Sequence, residues 1–500
     1  MSYQLRPHQE QAIRQLRESL QAGHKRPILC APCSAGKTII ACEIIKRAAA
    51  NGKRCVLYVD RSRILQQALD TFEMMGVHEY SVFMSDDWRY DPSKKITIAS
   101  IQTAVRRQQL PYDLALVDEC HTIYKGMQRL MENYNAIPHI GLTATPYSRG
   151  LGLIYDDLIL AGGLTTRQLL DKGWLAPCDY YAGSHADVAG LKTKRLASGA
   201  LAFHPGDLEK RILESGHLAG DIVENYRRHS DGLKKRAITF TQSIAHSKQL
   251  CDNFNAAGIK AVHIDGTMDQ EERAVIYRAF KAGYYLVCCS SKLLTTGFDD
   301  PGVEILIDAT PSKSIIRNIQ VAGRVWRLSP GKDRGIYLDH AGNIARMGTF
   351  PEDCVPDHLD MGEKTYREEN TIRKEKNESE PRECPQCTRV FVGGKCVCGY
   401  KYVQKKEIVT DEQILQKLQR QKLIEKKEEM KTFLASLQLY AHQKGYQRGW
   451  IYHTFKKAFK DVPYTDNWPA PATTVDPAVK NYIKYLNIRR AKSGANIATS

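Results

Sequence analysis

From Arg26 to Asp339 the chain alternates short apolar runs with helix-length segments, and it does so in two series. The first series is Ile28–Ala31, Cys55–Val59, Ile96–Ile101, Leu114–Val117 and Ile140–Leu142. The second is Ala237–Phe240, Ala261–Ile264, Tyr285–Cys289, Val303–Ile307 and Ile336–Leu338. Continuous apolar runs of this length, set apart by longer stretches, predict buried parallel strands with helices on both faces. Two series predict two α/β domains in tandem. The stretch 162–235 between them reads as a largely helical, polar connection.

Beyond Asn343 the pattern lapses. A charged segment, REENTIRKEKNESEPRE, predicts a linker or exposed helix. A cysteine cluster follows, then a Gln/Leu/Lys/Glu-rich helical stretch at 411–432, then a basic and aromatic segment with Tyr440, Tyr446, Trp450, Tyr452, Phe455 and Phe459. The expected division is therefore 1–165, 166–345, a linker 346–380, a cysteine element 381–402 and a basic, mostly helical domain 403–500. Net charge is +16, and residues 401–500 hold 19 Lys and Arg against 9 Asp and Glu. That surplus suits a polyanionic partner. The N-terminus carries no signal-peptide pattern and no apolar run approaches a membrane span, so the expectation is a soluble protein of the cytoplasm, or of a host cytoplasm if it comes from a mobile element. Most of the 14 cysteines sit singly in apolar runs, as buried thiols do in a reducing compartment.

Two places carry the chemistry of phosphates. Cys33-Ser34-Ala35-Gly36-Lys37-Thr38 joins a strand-like run to a helix-like run. A loop of this kind presents backbone N–H groups and a helix N-terminus to phosphate oxygens. Lys37 is then the candidate partner of the β- and γ-phosphates, and Thr38 of Mg²⁺. Asp118-Glu119-Cys120-His121 ends the run Leu114–Val117, and the C-terminal end of a strand is where an open α/β sheet binds ligands. Asp118 is the candidate Mg²⁺ carboxylate and Glu119 the group that orients and deprotonates an attacking water. His121 lies close enough to couple this site to the Thr143-Ala-Thr145 segment.

The order of these motifs with Gly297-Phe-Asp299 and Gln320-Val-Ala-Gly-Arg324-Val-Trp-Arg327 resembles superfamily 2 helicases with a DECH box, and most of all the RadD-type DNA-repair ATPases. The match runs from Leu5 to about Asn343. The resemblance implies two tandem RecA-like domains that close on ATP and Mg²⁺, followed by a zinc element and a basic tail. It implies that Gln9 reads adenine and Arg6 stacks near the base, and that Gly297 and Asp299 approach the nucleotide. It implies that Gln320, Arg324 and Arg327 act on the γ-phosphate from the second domain, the two arginines sharing one face of a helix. Hydroxyls of Thr143 and Thr145 would link the DECH carboxylates to domain movement. Arg61, Arg63, Gln102, Thr103, Thr295 and Thr296 become the candidate nucleic-acid contacts.

Cys33 and Ser34 depart from the Thr and Gly that many relatives carry, and a Cβ at Ser34 opposes a positive φ. Cys384-x₂-Cys387-x₈-Cys396-x-Cys398 has the ligand number and pairing of a tetrahedral structural Zn²⁺ site. The expected activity is a DNA-stimulated ATPase in repair, recombination or replication, with DNA favoured over RNA, no membrane, and single-strand-binding or recombination proteins as candidate partners. The alternatives are an RNA-directed helicase and a zinc-containing nucleic-acid-binding subunit of a larger assembly.

Overall fold

A computed structural model describes residues 4–60, 62–85, 87–107, 110–182, 193–195, 201–203, 221–291, 300–362, 382–383, 390–391, 416–417, 420–459, 469–484 and 486. Two seven-stranded sheets dominate it. The first holds β1 (Pro27–Cys30), β2 (Cys55–Val59), β3 (Ser81–Phe83), β4 (Ile96–Ser100), β5 (Leu114–Asp118), β6 (His139–Thr143) and β7 (Asp157–Leu160), in the order β3-β4-β2-β5-β6-β1-β7. Every pairing in it is parallel. Strands β1, β2 and β6 are buried along their whole length, because helices cover both faces. One face packs Leu29, Leu57, Leu116 and Leu142 against the helices Pro7–Gln21, Lys37–Ala50 and Ser62–Met74. The other packs Tyr58, Val117 and Ile28 against Met127, Leu130 and Met131 of Lys125–Asn133.

The second sheet is built from β8 (Cys178–Ala182), β11 (Ala237–Thr241), β12 (Ala261–His263), β13 (Val287–Ser290), β14 (Ile305–Ala309) and β15 (Gly335–Asp339), in the order β12-β13-β11-β14-β15-β8. A short hairpin, β9 (Thr193–Arg195) with β10 (Leu201–Phe203), lies between β8 and β11 in the chain. A two-residue strand, Gln416–Lys417, closes the β8 edge antiparallel, with Lys417 Nζ 2.8 Å from Asp179. The tandem parallel-sheet expectation therefore holds, with one correction. Among its described residues the segment 162–235 holds the helices Thr166–Asp171 and Ile222–His229 and also contributes β8 to the second sheet. Its sequence, CDYYA, buries only Tyr180 and Ala182 and so lacks the apolar run of an inner strand.

The chain then returns to the first domain. Leu359 packs on the first domain's core, Gly152 N–H donates to the Asp360 carbonyl (2.8 Å), and the Asp360 carboxylate accepts from Gly150 N–H (2.8 Å). At the C-terminal end, Leu434, Leu437 and Ala441 of the helix Arg420–Gln443 share a small core with Ile451 and Phe455 of Arg448–Ala458 and with Val479 and Ile483. No helix among the described residues is long and apolar enough to cross a membrane.

Candidate nucleotide-binding cleft

The strands of the first sheet all run the same way, so their C-terminal ends share one edge. The loop from β1 to the helix Lys37–Ala50 lies there, beside the end of β5. Gly36 occupies the N-cap position with φ 88°, and no side chain caps that helix. That left-handed backbone is what requires glycine, and a Cβ there would also push against the end of the Gln9 side chain. Ser34 does adopt a positive φ, 68°. Its hydroxyl donates to the Gly323 carbonyl of the second domain at 3.1 Å, a contact that helps offset the strain.

Lys37 Nζ sits 2.8 Å from Asp118 and 2.5 Å from Glu119. Burial opposes its charge, but the two carboxylates outweigh burial and hold the ammonium above its ordinary pKa. Burial likewise pushes Glu119 up, and Lys37 with the His121 hydrogen bond overcomes it, leaving this carboxyl below the usual range and ionised at neutral pH. Asp118 goes the other way: burial and the neighbouring Glu119 charge raise it despite Lys37. Glu119 itself has φ 50°, a strained backbone at the point where the carboxylate must project into the cleft.

His121 joins three motifs. Its Nδ1 lies 2.9 Å from Thr143 Oγ1 and 3.2 Å from Glu119 Oε2, and its Nε2 lies 3.4 Å from Gln320 Nε2. A proton on Nδ1 satisfies all three, donating toward Thr143 and Glu119 while Nε2 accepts from the Gln320 amide. Thr143 Oγ1 also accepts from Thr145 N–H at 3.0 Å. The expected hydroxyl-to-carboxylate link thus runs through a histidine: Thr143 reaches Glu119 only by way of His121.

The second domain faces this edge with the helix Ile315–Ala322 and the turn that follows. Gln320 Nε2 is 3.5 Å from Glu119 Oε2. A Cβ on Gly323 would meet Cys33 Cβ at 2.6 Å, so glycine lets the two domains touch. Arg324 and Arg327 do not share a helical face as their spacing suggests. The helix stops at Ala322, Arg324 lies in the turn beyond it, and Arg327 follows that turn. Both still line the cleft, because Val325 and fully buried Trp326 turn into the core between them, Trp326 Nε1 donating to Tyr180 Oη at 3.3 Å. Behind the helix, buried Asp308 accepts from both Arg317 terminal nitrogens (2.8 Å each), from Tyr337 Oη (2.6 Å) and from Asn343 Nδ2 (2.8 Å).

The resulting cavity is about 550 Å³ and takes walls from both domains: Lys37, Thr38, Asp118 and Glu119 on one side, Gln320, Arg324 and Arg327 on the other. Thr38 and Asp118 give it two oxygen donors of the kind a hard divalent cation takes. Cys33, Ser34 and Gly36 also line it, and Ala35 is buried beneath, its carbonyl accepting from Gln9 Nε2 (3.2 Å). Arg6 reaches the cleft. Gln9 does not: it is 1% exposed, and its Oε1 accepts from Arg6 N–H at 2.9 Å. In this arrangement Gln9 fastens the first helix to the phosphate loop and has no free edge for a base. Trp174 lines the cleft beside Arg6 and stacks on His8 at 4.9 Å, a residue that no motif pointed to.

Of the candidate nucleic-acid contacts, Gln102 is exposed and donates to Asp60 (2.7 Å), while Thr103 is buried and its hydroxyl accepts from Ser85 N–H (3.1 Å). Arg63 is the second residue of the helix Ser62–Met74, its side chain outside the described residues. Arg61, Thr295, Thr296, Gly297, Asp299 and the four cysteines Cys384, Cys387, Cys396 and Cys398 also lie outside the described residues. Among the described residues no group of three or more His, Cys, Asp or Glu could hold a metal ion.

Two family models match the chain. Residues 2–148 match the type III restriction enzyme res subunit, and residues 221–329 match the helicase conserved C-terminal domain. A 51.5 kDa protein of a Lactococcus phage (isolate 7-9) is 28% identical over 378 residues, covering 73% of this chain and 75% of that one. The Saccharomyces cerevisiae protein IRC3, described as an ATP-dependent helicase, is 25% identical over 372 residues, covering 68% of this chain and 51% of that one. The ATP-dependent type ISP restriction-modification enzyme LlaBIII, solved bound to DNA, has a similar fold (TM-score 0.50, 16% identity), over 68% of this chain and 28% of that one. Together with the two sheets and the shared cleft, these matches support a superfamily 2 helicase. The chain spans about half of IRC3 and less than a third of LlaBIII.

Proposed function

We propose that this chain is a nucleic-acid-stimulated ATPase that works on DNA in repair, recombination or replication. The observation that carries the reading is the cleft, with Lys37, Asp118 and Glu119 on one domain and Gln320, Arg324 and Arg327 on the other. Lys37 exchanges its carboxylate partners for the β- and γ-phosphates of ATP. Thr38 and Asp118 would hold Mg²⁺, which when bound would neutralise phosphate charge. Glu119, freed from Lys37 and still held by His121, orients the attacking water and takes its proton. Arg324 and Arg327 meet the charge that develops on the transferred phosphoryl group.

His121 supports a coupling role. It touches Glu119, Thr143 and Gln320, so a shift of the second domain is felt at the water-orienting carboxylate. Nucleic acid that favours domain closure then accelerates hydrolysis, and by linkage ATP tightens the grip on nucleic acid. DNA is favoured over RNA because LlaBIII was solved on DNA and the first-domain family is a restriction-enzyme subunit. We place Zn²⁺ at Cys384, Cys387, Cys396 and Cys398 on the chemistry of four paired thiols. The antiparallel pairing of Arg382–Glu383 with Val390–Phe391 brackets the first pair of cysteines in sequence, and metal analysis of the purified protein tests the assignment.

The deciding experiment is phosphate release from ATP, alone and with single-stranded DNA, duplex DNA or RNA, beside Lys37→Ala and Glu119→Gln. Stimulation by DNA that both variants abolish is expected. Equal or greater stimulation by RNA assigns the motor to RNA, and absence of turnover with every nucleic acid overturns the motor.

A further inference from the structure

The most exposed large apolar side chain among the described residues is Trp88, at 89%. It stands in the loop after β3, the edge strand of the first sheet, at the same C-terminal edge that carries the ATP-site loops. The loop is held from several sides. Asp87 accepts from Arg89 Nε (2.9 Å), Nη2 (2.7 Å) and N–H (3.0 Å). The Arg89 carbonyl accepts from Val82 N–H at 3.2 Å, and Asp91 N–H donates to Ser81 Oγ at 2.9 Å. Tyr90 folds onto Phe83 with ring centroids 4.9 Å apart. An indole this exposed on so fixed a loop is presented to solvent and gains nothing from the core.

Its surroundings state what it could meet. Ser85, three residues before it, donates its N–H to Thr103 at 3.1 Å, joining the loop to the helix Ile101–Arg107. That helix exposes Gln102, Arg106 and Arg107, and the Arg107 guanidinium lies 6.0 Å from the Phe83 ring on which Tyr90 rests. Half-exposed Tyr90 (40%) extends the aromatic surface. An exposed flat ring on a loop tied to a helix with exposed arginines suits a polyanion with exposed π faces. Aromatic platforms with a basic track are how single strands are gripped without sequence preference.

We infer that Trp88 is a stacking platform for an unpaired base of single-stranded nucleic acid, and that the helix Ile101–Arg107 carries the backbone grip beside it. The inference rests on the motor reading above, and names the strand that the motor would track. A base within a duplex is already stacked on its neighbours, so the platform selects single strands.

The test measures binding of full-length protein to oligo-dT and to an abasic strand of equal length, with oligo-U alongside to tell DNA from RNA. Trp88→Ala should weaken oligo-dT binding by about 5- to 150-fold, the span that about 1–3 kcal/mol per stacked base gives. It should leave the abasic strand unaffected, and Trp88→Phe should restore most of the affinity. Oligo-dT should also quench part of the wild-type tryptophan emission, and Trp88→Phe should lose that part. Unchanged oligo-dT affinity in Trp88→Ala, or an equal loss on the abasic strand, overturns the platform. Nucleic-acid stimulation of wild-type ATP hydrolysis, measured separately, is what the motor reading stands on. A fully stimulated enzyme with an inert Trp88 therefore removes the platform and spares the motor.

Discussion

The two domains share an architecture and use their helix ends in opposite ways. Four helices of the second domain are capped by their own N-cap side chains: Asp221, Ser243, Asp269 and Ser314 each accept from a backbone N–H three residues on. In the first domain the helix Lys37–Ala50 has no side-chain cap, and Gly36 precedes it in a left-handed conformation. Its N–H groups stay available to a ligand. Charge is divided in the same way. The first domain aims Lys37, Asp118 and Glu119 into the cleft. The second buries an ion pair, Asp308–Arg317, behind the helix that ends at Ala322. One domain is built to bind, and the other is built to hold a pair of arginines where binding happens.

The sharpest way to break that comparison is to remove the delivered charge and leave the binding domain whole. Arg324→Ala is expected to lower the stimulated rate of phosphate release by about 10³- to 10⁵-fold, as loss of an arginine acting in trans on the γ-phosphate does. ATP affinity, measured at equilibrium, should change far less than the rate. A variant that hydrolyses ATP normally would return Arg324 to a surface role.

Lys37, Asp118, Glu119 and Arg324 were legible in the sequence because each sits at a fixed offset from a strand end or a glycine, and backbone geometry enforces such offsets. What was not legible depends on partners distant in the chain. His121 meets Gln320 199 residues away. The arginine spacing suggested one helical face, but Trp326 finds its pocket beside Tyr180 and the helix ends before it. Strand β8 has no apolar run to mark it, because only Tyr180 and Ala182 of its five residues are buried. Gln9 has the residue type for reading a base, and only packing reveals that Ala35 and Arg6 already occupy its amide.

A second break lies behind the helix. Asp308 accepts four hydrogen bonds from three side chains, and Arg317 is its buried counter-ion. Burial lowers and Asp308 raises the basicity of Arg317, and the ion pair wins. Asp308→Ala leaves that guanidinium without its partner, at a cost of about 3–5 kcal/mol. Denaturant unfolding should show the loss in the second domain. Arg324 would go with it, so turnover should fall although Asp308 never faces the cleft. Full stability in Asp308→Ala would mean that the network does not hold the helix.

Acid should also separate the domains. Burial depresses His139 in the first domain and His246 in the second to about 4 each. Both are neutral when folded and take up a proton below about 6.5 when unfolded, so each contributes stability above that pH that is lost as pH falls from about 6.5 to 4. The full loss is about 3 kcal/mol per histidine. The sheet of His246's domain carries a counterweight, as Asp118 is for the first domain's cleft but not for His139. Burial and the nearby Asp308 charge raise Asp339 to about 6, so its folded carboxyl binds a proton before the unfolded one does. That group adds stability as pH falls from about 6 toward 4, by about 3 kcal/mol, and largely cancels the His246 loss. His139 has no such neighbour: Tyr112 Oη and the Ile137 carbonyl satisfy its ring at 3.0 and 2.8 Å. Amide exchange between pH 6.5 and 4 should therefore show the strand that carries His139 losing protection in the first domain while the segments around His246 and Asp339 keep theirs in the second. His139→Gln should flatten the first domain's response, and Asp339→Asn should unmask the second domain's. Equal acid loss in both wild-type domains would show that Asp339 ionises with the ordinary carboxylates, and that the second domain's buried charges are hydrated more freely than its packing implies.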